Sequence, residues 1–297
     1  MRIAHLILAH KDLDQLARLV DVLRHPGHCF FIHLDARAPC FAQAVAHFAK
    51  AADVTLVTPR VRCRWGHFSL VEATLQGLRT VMAQATPFDH VNLISGQDYP
   101  LKRPAEMERY LAARPGCQFI NFFPLHANNP WTQQGGPYQA LQRIEGVHLA
   151  FRSRWLHLPL KRKMPNGWTP YGGSQWWTLT GPCVQWLMQR LEQQPAIKRF
   201  FRHTFIPDEL FFQTLIMNSP FAEQAVNDNL RYVDFSRANP TPPAVLLEAD
   251  YGELLQVDKL FARKLEPRRS HHLMALIDRH LLGRDQPVEV REPEQAH

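Results

Sequence analysis

What this chain lacks narrows it first. Its five cysteines, Cys29, Cys40, Cys63, Cys117 and Cys183, are odd in number, and no two have CxxC spacing. That argues against a disulfide framework or a zinc cage and points to a reducing compartment. No run of eighteen apolar residues occurs, so no segment reads as a membrane span. The opening MRIAHLILAHKD is too short in its apolar part for a signal peptide and has no small-residue cleavage site. The expectation is a cytoplasmic protein. Walker A, GxGxxG, GxSxG and HExxH patterns are all missing. P-loop, dinucleotide, triad-hydrolase and zincin readings therefore lose their footing.

What is present suffices for a large core. Of 297 residues 45% are hydrophobic, enough for one large α/β domain or two closely joined halves. Charged residues make up 21%, an ordinary share that argues against disorder. The net charge of +7 leaves three partner classes open: nucleic acid, an anionic membrane surface or a phosphate-bearing ligand. A basic solvated face explains it equally well.

The first hundred residues alternate two periods. IAHLILA (3–9), CFFIHLD (29–35), VTLVTP (54–59) and HVNLIS (90–95) read as strands. LDQLARLVDVLRH repeats apolar residues at Leu13, Leu16, Leu19, Val20 and Leu23, a helical spacing broken by HPGH. FAQAVAHFAKAA, SLVEATLQGLRTVMAQA and PAEMERYLAARPG read as further helices, with Ser69 and Glu72 at capping-box spacing. This βαβα rhythm predicts a mostly parallel, Rossmann-like sheet flanked by helices. In such sheets ligands bind beyond the strands' carboxyl ends. His10-Lys11, His33-Leu34-Asp35 and Gly96-Gln97-Asp98 fall there. Residues 122–170 are irregular and carry the basic run FRSRWLHLPLKRK; GRDQPVEVREPEQAH reads as a frayed tail.

Each candidate site has a plain reading beside its functional one. Asp35 ends a strand in HLDAR, where Arg37 stands in place of the second carboxylate of a DxD metal clamp. Mg²⁺ or Mn²⁺ wants several hard oxygen ligands, so a metal held by Asp35 is disfavoured. ISGQDYPLK offers Gln97, Asp98, Tyr99 and Lys102 on a loop that turn chemistry alone would also explain. Trp65 is either core or a platform for a sugar or base; core is the better expectation for a lone tryptophan. GGSQWWTLT gathers Ser174, Gln175, Trp176 and Trp177. In a strand the two tryptophans face opposite sides, so one fills core while the other walls a site suited to a sugar. KLFARKLEP sets Arg263 and Lys264 beside an apolar run, either as solvated surface or as a diphosphate grip. In FIPDELFFQTLIM, Pro207, Asp208 and Glu209 suit a helix start, and Phe211, Phe212, Leu215 and Ile216 are spaced to bury the helix on more than one side.

Seven stretches in order resemble one family: AHLILAHKDLDQLARLVDVL, FFIHLDAR, RWGHFSLVEATL, NLISGQDYPLK, GSQWWTL, PDELFFQTLI and LFARKL. They look like the core-2/I-branching β-1,6-N-acetylglucosaminyltransferase and peptide O-xylosyltransferase family, glycosyltransferase family 14. The resemblance covers roughly 1–267. It implies a GT-A fold, an inverting mechanism, a UDP-sugar donor and no metal. It maps the catalytic base to Glu209, leaving Asp208 the structural task at the helix start. It maps the diphosphate-binding lysine to Lys264, with Arg263 beside it and either Arg231 or Arg237 as a second basic residue. It puts Asp35 near the nucleotide and His10 beside the uracil or ribose. Without lumenal disulfides or an anchor, the chain resembles a bacterial cytoplasmic member. The expected organisation is one catalytic domain over 1–267, with a nucleotide-sugar half (1–115) and an acceptor half (116–267). A C-terminal helix and polar tail follow over 268–297.

The expected activity is transfer of a sugar, GlcNAc or xylose, from UDP to a hydroxyl of a glycan, lipid-linked glycan or peptide. Two rivals come from other classes. One is a catalytically silent glycan- or nucleotide-binding protein on the same fold. The other is a nucleic-acid binder, disfavoured because no recognisable nucleic-acid module is present. The basic run, with Lys161, Arg162 and Lys163, reads as a solvated face, an acceptor-side surface or a peripheral contact with anionic lipid at the inner face of a membrane.

Overall fold

The computed structural model describes residues 1–133, 140–151, 154–237 and 243–284. The chain opens with β1 (Ile3–Ala9), α1 (Leu13–Leu23), β2 (His28–Leu34), α2 (Phe41–Phe48), β3 (Val54–Leu56) and α3 (Phe68–Met82). It continues through β4 (His90–Ser95), β5 (Asp98–Pro100), α4 (Pro104–Ala112), β6 (Gln118–Ile120) and β7 (Phe123–Pro124). Short elements follow: α5 (Pro130–Gln133), α6 (Gln142–Glu145), β8 (Val147–Phe151), β9 (Arg154–Leu158) and β10 (Tyr171–Gly172). Then come β11 (Trp177–Thr180), α7 (Gly181–Gln193), α8 (Pro195–Phe201) and α9 (Phe211–Met217). The last are β12 (Ala225–Val226), β13 (Arg231–Val233), α10 (Tyr251–Leu254), β14 (Phe261–Arg263) and α11 (Pro267–His280).

The expected α/β architecture is present. Seven strands form the central sheet in the order β12-β6-β11-β4-β1-β2-β3. β4, β1, β2 and β3 run parallel, as do β6 and β12, and β11 is reversed against both its neighbours. The strands are buried on both faces, which is why they read as continuous apolar runs. Alternate residues supply two cores. Ile3, Ile7, Phe30 and Ile32 join Leu16 and Leu19 of α1 and Leu273 and Ile277 of α11. Leu6, Phe31, Leu93 and Trp177 join α3, α7 and α9 on the other face. A smaller sheet, β13-β14-β5, sits beside the end of β4.

Three local expectations are corrected. Ser69 and Glu72 form no capping box: α3 starts at Phe68, the Ser69 hydroxyl accepts from the Arg64 amide, and Glu72 lies 3.5 Å from Arg79. The Gly96–Lys102 stretch is not all loop, because Asp98–Pro100 pairs with β14. The helix expected from Pro207 begins only at Phe211, after a separate 3-10 turn over Pro207–Glu209. The C-terminal helix packs into the core and is tied there by Asp278, which accepts from Arg18 and from Tyr99 (both 2.7 Å). The polar tail 285–297 lies outside the described residues. No helix among the described residues is long and apolar enough to cross a membrane.

Candidate active site

Parallel register brings three strand ends to one edge. Leu8 of β1 stands opposite His33 of β2 and Ser95 of β4. The chain leaving each strand therefore delivers His10, Asp35 and Gln97 side by side. Asp35, 4% exposed, is fully engaged there. Oδ1 accepts from the Arg37 amide (2.8 Å) and Nε (3.2 Å), and Oδ2 from Arg37 Nη2 (3.0 Å) and the Cys63 amide (3.2 Å). Burial would raise its pKa, but these hydrogen bonds outweigh burial and hold it below the ordinary carboxylate range. All four acceptor sites are used. Asp35 thus anchors the loop after β3 and holds the exposed Arg37 at the same edge.

His10 is pushed toward neutrality by burial and by the Lys11 charge, with a smaller push from Lys264. Lys264 is half-buried, and its pKa is lowered by burial and by Arg263. Among the described residues it has no ion pair within 4.0 Å. Lys11 instead reaches Glu266 at 3.3 Å, and Gln97 Nε2 donates to the same carboxylate at 3.0 Å.

The small sheet organises the arginines. Arg263 stands opposite Asp98 in register and donates to its Oδ1 at 2.7 Å, while its guanidinium lies 4.5 Å from the Trp176 ring centroid. Asp98 is thus a buried support for Arg263, not a substrate contact. Tyr99 is likewise corrected. It is fully buried, with its hydroxyl accepting from Arg18 (2.9 Å) and donating to Asp278. Burial raises its pKa. Arg231 is a third correction. Its side chain is inaccessible, and Nη2 donates to Asn92 Oδ1 (2.6 Å) and the Leu93 carbonyl (2.7 Å). Burial lowers its pKa to about 10, so it stays charged, clamping the small sheet to β4. Arg237 is tied to Asp234 and, at 2.7 Å, to Asp250, with its pKa raised chiefly by the Asp234 hydrogen bond.

The acidic turn is built differently. Ile206 takes a left-handed φ of 49° and its amide bonds the Gly66 carbonyl at 3.1 Å. The 3-10 turn that follows holds both carboxylates. The Glu209 side chain is 36% exposed, and Oε2 accepts from Arg143 Nη1 at 2.8 Å. Arg143 itself lies 3.6 Å over the Trp131 ring. The surrounding protein raises the Glu209 pKa, and Arg143 pulls it back. Asp208 is 6% exposed, its Oδ1 has no hydrogen-bond partner, and its pKa is pushed up to about 7 by burial and then by the Glu209 charge. It caps no helix, contrary to expectation, because α9 starts at Phe211 with no side-chain cap.

One short segment joins the two regions. The Gly173 amide donates to the Glu209 carbonyl at 2.9 Å. A Cβ at Gly173 would lie 1.9 Å from the Asn121 carbonyl oxygen, so only glycine permits this approach. Three residues on, Trp176 supports Arg263. Three residues of chain span about 10 Å at most. Ser174 and Gln175 lie between, half-buried, with the Ser174 carbonyl accepting from Gln213 at 2.5 Å. Trp176 and Trp177 do diverge. Trp177 is wholly core, 5.3 Å from Phe212, so it walls no site, contrary to expectation for a substrate contact. Trp65 is not core: it is 74% exposed, edge-on to Phe205.

Sequence reasoning missed Arg143 and Trp131. Both lie in the irregular stretch after β7, where no motif marks them. Arg162 of the basic run is structural and not surface charge. It donates to the carbonyls of Phe200 (2.7 Å) and Ile144 (2.8 Å), and burial lowers its pKa to about 10. Lys161 and Lys163 are exposed, and Arg152 lies outside the described residues.

A family model described as Core-2/I-Branching enzyme matches residues 3–255. The chain is 26% identical over 304 residues to Xylosyltransferase 2 of Canis lupus familiaris, covering 95% of this chain and 34% of that protein. It is 27% identical over 241 residues to Xylosyltransferase 1 of the same species, covering 80% and 24%. The chain thus spans about a third of the length of the first of these relatives. Among solved structures, S. aureus TarS 1-349 in complex with UDP-GlcNAc aligns with a TM-score of 0.32 and 8% identity, over 68% of this chain and 54% of that one. Mouse xyloside xylosyltransferase 1 aligns with a TM-score of 0.33 and 10% identity, over 74% and 83%. Both likenesses are too loose to carry an argument.

Proposed function

Because this chain belongs to the Core-2/I-Branching enzyme family, we propose that it is an inverting GT-A glycosyltransferase. It moves GlcNAc or xylose from a UDP-sugar to a hydroxyl of a glycan or protein acceptor, with no metal at the diphosphate. The observation that carries this reading is the Gly173–Trp176 segment, bonded to Glu209 at one end and supporting Arg263 at the other. It ties the backbone of the acidic turn to the support of the cationic edge through three residues of chain.

In this scheme Glu209 takes the proton of the acceptor hydroxyl as its oxygen bonds to the anomeric carbon. The bond from that carbon to the UDP β-phosphate breaks on the opposite side, which inverts the centre. Negative charge grows on the departing phosphate, where Lys264 stabilises it with Arg263 nearby. Asp98 and Trp176 hold Arg263 in place. His10, kept neutral, suits a hydrogen bond to uracil or ribose. Metal independence is supported by the Asp35 carboxylate, whose acceptor sites are taken by Arg37 and Cys63.

The test is a thermal-shift and UDP-release screen over UDP-sugars, run with and without EDTA. One donor is expected to raise Tm and be hydrolysed slowly, in EDTA as well. Binding without any turnover of the bound donor would make the protein a silent binder. Loss of activity in EDTA restored by Mn²⁺ would overturn the metal-free scheme.

A further inference from the structure

At the other end of the sheet lies a cluster with no part in this chemistry. His25-Pro26-Gly27-His28 forms a tight turn in which the His28 amide donates to the His25 carbonyl at 3.0 Å. Pro26 presets the first corner, and Gly27, at a φ of 89°, makes the second. The turn sets the two imidazole rings 5.4 Å apart, and α4 brings Glu108 to face both. His25 Nδ1 lies 3.2 Å from Glu108 Oε1, and His28 Nε2 lies 3.3 Å from the same oxygen. One ligand atom from each residue falls within 4.8 Å of the other two.

We infer that His25, His28 and Glu108 form a binding site for a divalent transition-metal ion of the zinc class. Ligands bound at 2.0–2.1 Å to a tetrahedral ion stand about 3.3 Å from one another, which matches the two nitrogen–oxygen separations. His28 supplies an independent sign. Its side chain is wholly buried, and the Glu108 carboxylate, 3.3 Å from Nε2, is the one polar group facing that nitrogen among the described residues, without forming a well-made hydrogen bond to it. Its other nitrogen, Nδ1, is held by the Leu23 carbonyl (3.1 Å) and His5 Nε2 (3.2 Å). Such outer contacts orient metal-ligating histidines. Two imidazoles with one carboxylate make a donor set suited to zinc and leave a fourth position open. Solvent reaches it: the His25 side chain is 32% exposed, and a shallow surface depression lined by Met1, Ala105, Glu108, Arg109 and Ala112 opens on the Glu108 side. The other Glu108 oxygen lies 3.7 Å from the Met1 amino group.

His28 begins β2 and Asp35 follows its end, so the two sites are roughly 20 Å apart at 3.3 Å per residue. A structural ion here leaves the proposed transfer chemistry untouched, and either reading can fail alone. The test uses the full chain, stripped with EDTA and desalted, then titrated with Zn²⁺ by calorimetry and with Co²⁺ by visible absorption. One ion per chain is expected, with a rise in Tm, since an ion bound only by the folded state stabilises it. His25→Ala and Glu108→Gln are each expected to weaken affinity about tenfold or more. His25 is part-exposed, so its variant keeps the fold testable. The exposed pair His271 and His272 is the control: replacing both leaves the ion bound. Zinc uptake that survives in both His25→Ala and Glu108→Gln, or no uptake at all, would overturn the site.

Discussion

The carboxyl edge of the sheet and the Pro207–Leu210 turn hold charge in opposite ways. At the edge, Arg263 and Arg231 share the buried Asp98, and Lys264 has no ion-pair partner among the described residues. At the turn, Arg143 is bonded to Glu209, and a buried Asp208 oxygen has no partner. Each region has one charge held by the protein and one polar group left over. In the proposed scheme the unpaired Lys264 meets the departing phosphate and the part-exposed Glu209 meets the acceptor hydroxyl, while the buried Asp208 oxygen reaches neither. Substitutions at four positions separate the two kinds.

The largest effect is expected from Glu209→Gln, which keeps shape and removes the base. Turnover should fall on the order of 10²–10⁴-fold, while donor affinity by calorimetry barely moves; a variant within tenfold of wild type rules Glu209 out as the base. Arg231→Met, at the opposite region, should instead cost stability, roughly 3–5 kcal/mol in urea unfolding, because a buried hydrogen-bonded cation is lost from Asp98 and Asn92. A normally stable variant with weak donor binding would return Arg231 to the donor site. Lys264→Ala should lower turnover about 10²-fold with stability unchanged, and Lys264→Arg should recover part of it. Unchanged kinetics would show that Lys264 does not meet the leaving group.

The last effect concerns Asp208; it leaves the transfer chemistry alone and depends on pH. Folding raises its pKa from 3.8 to about 7. Below pH ~4 the group is protonated in both states and costs nothing. Between about 4 and 7 the unfolded chain releases the proton and the folded one keeps it, so stability falls as pH rises. Asp208→Asn should therefore stabilise the protein at pH 8, with about 4 kcal/mol as the ceiling, and the gain should vanish near pH 4. A gain that does not change with pH would mean Asp208 is not strained by burial.

The legible parts were those set by short-range pattern. Continuous apolar runs marked β1, β2 and β4 because both faces of those strands are covered, and the chain order then placed His10 and Gln97 at the carboxyl edge of the sheet. Burial of Phe211, Phe212, Leu215 and Ile216 on two sides was visible in their spacing. Motifs fared worse at telling which member of a cluster reaches solvent. GQDY looked like a row of substrate contacts, but Asp98 and Tyr99 belong to a strand whose side chains turn inward to Arg263 and Asp278. Arg143 had no signal because its role arises from α6 packing beside the acidic turn, 66 residues away in sequence.

Taken alone, the sequence determined the layered α/β plan and the family. Those depend on hydrophobic period and on residue types at neighbouring positions. Only the tertiary structure decided which charges are already neutralised by the protein: Asp35 by Arg37, Asp98 by two arginines, Glu209 by Arg143, and Lys264 by none among the described residues. The physical reason is that a charge's partner is chosen by distance in space, and burial sets how costly it is to leave one without a partner. Neither can be read from a position along the chain.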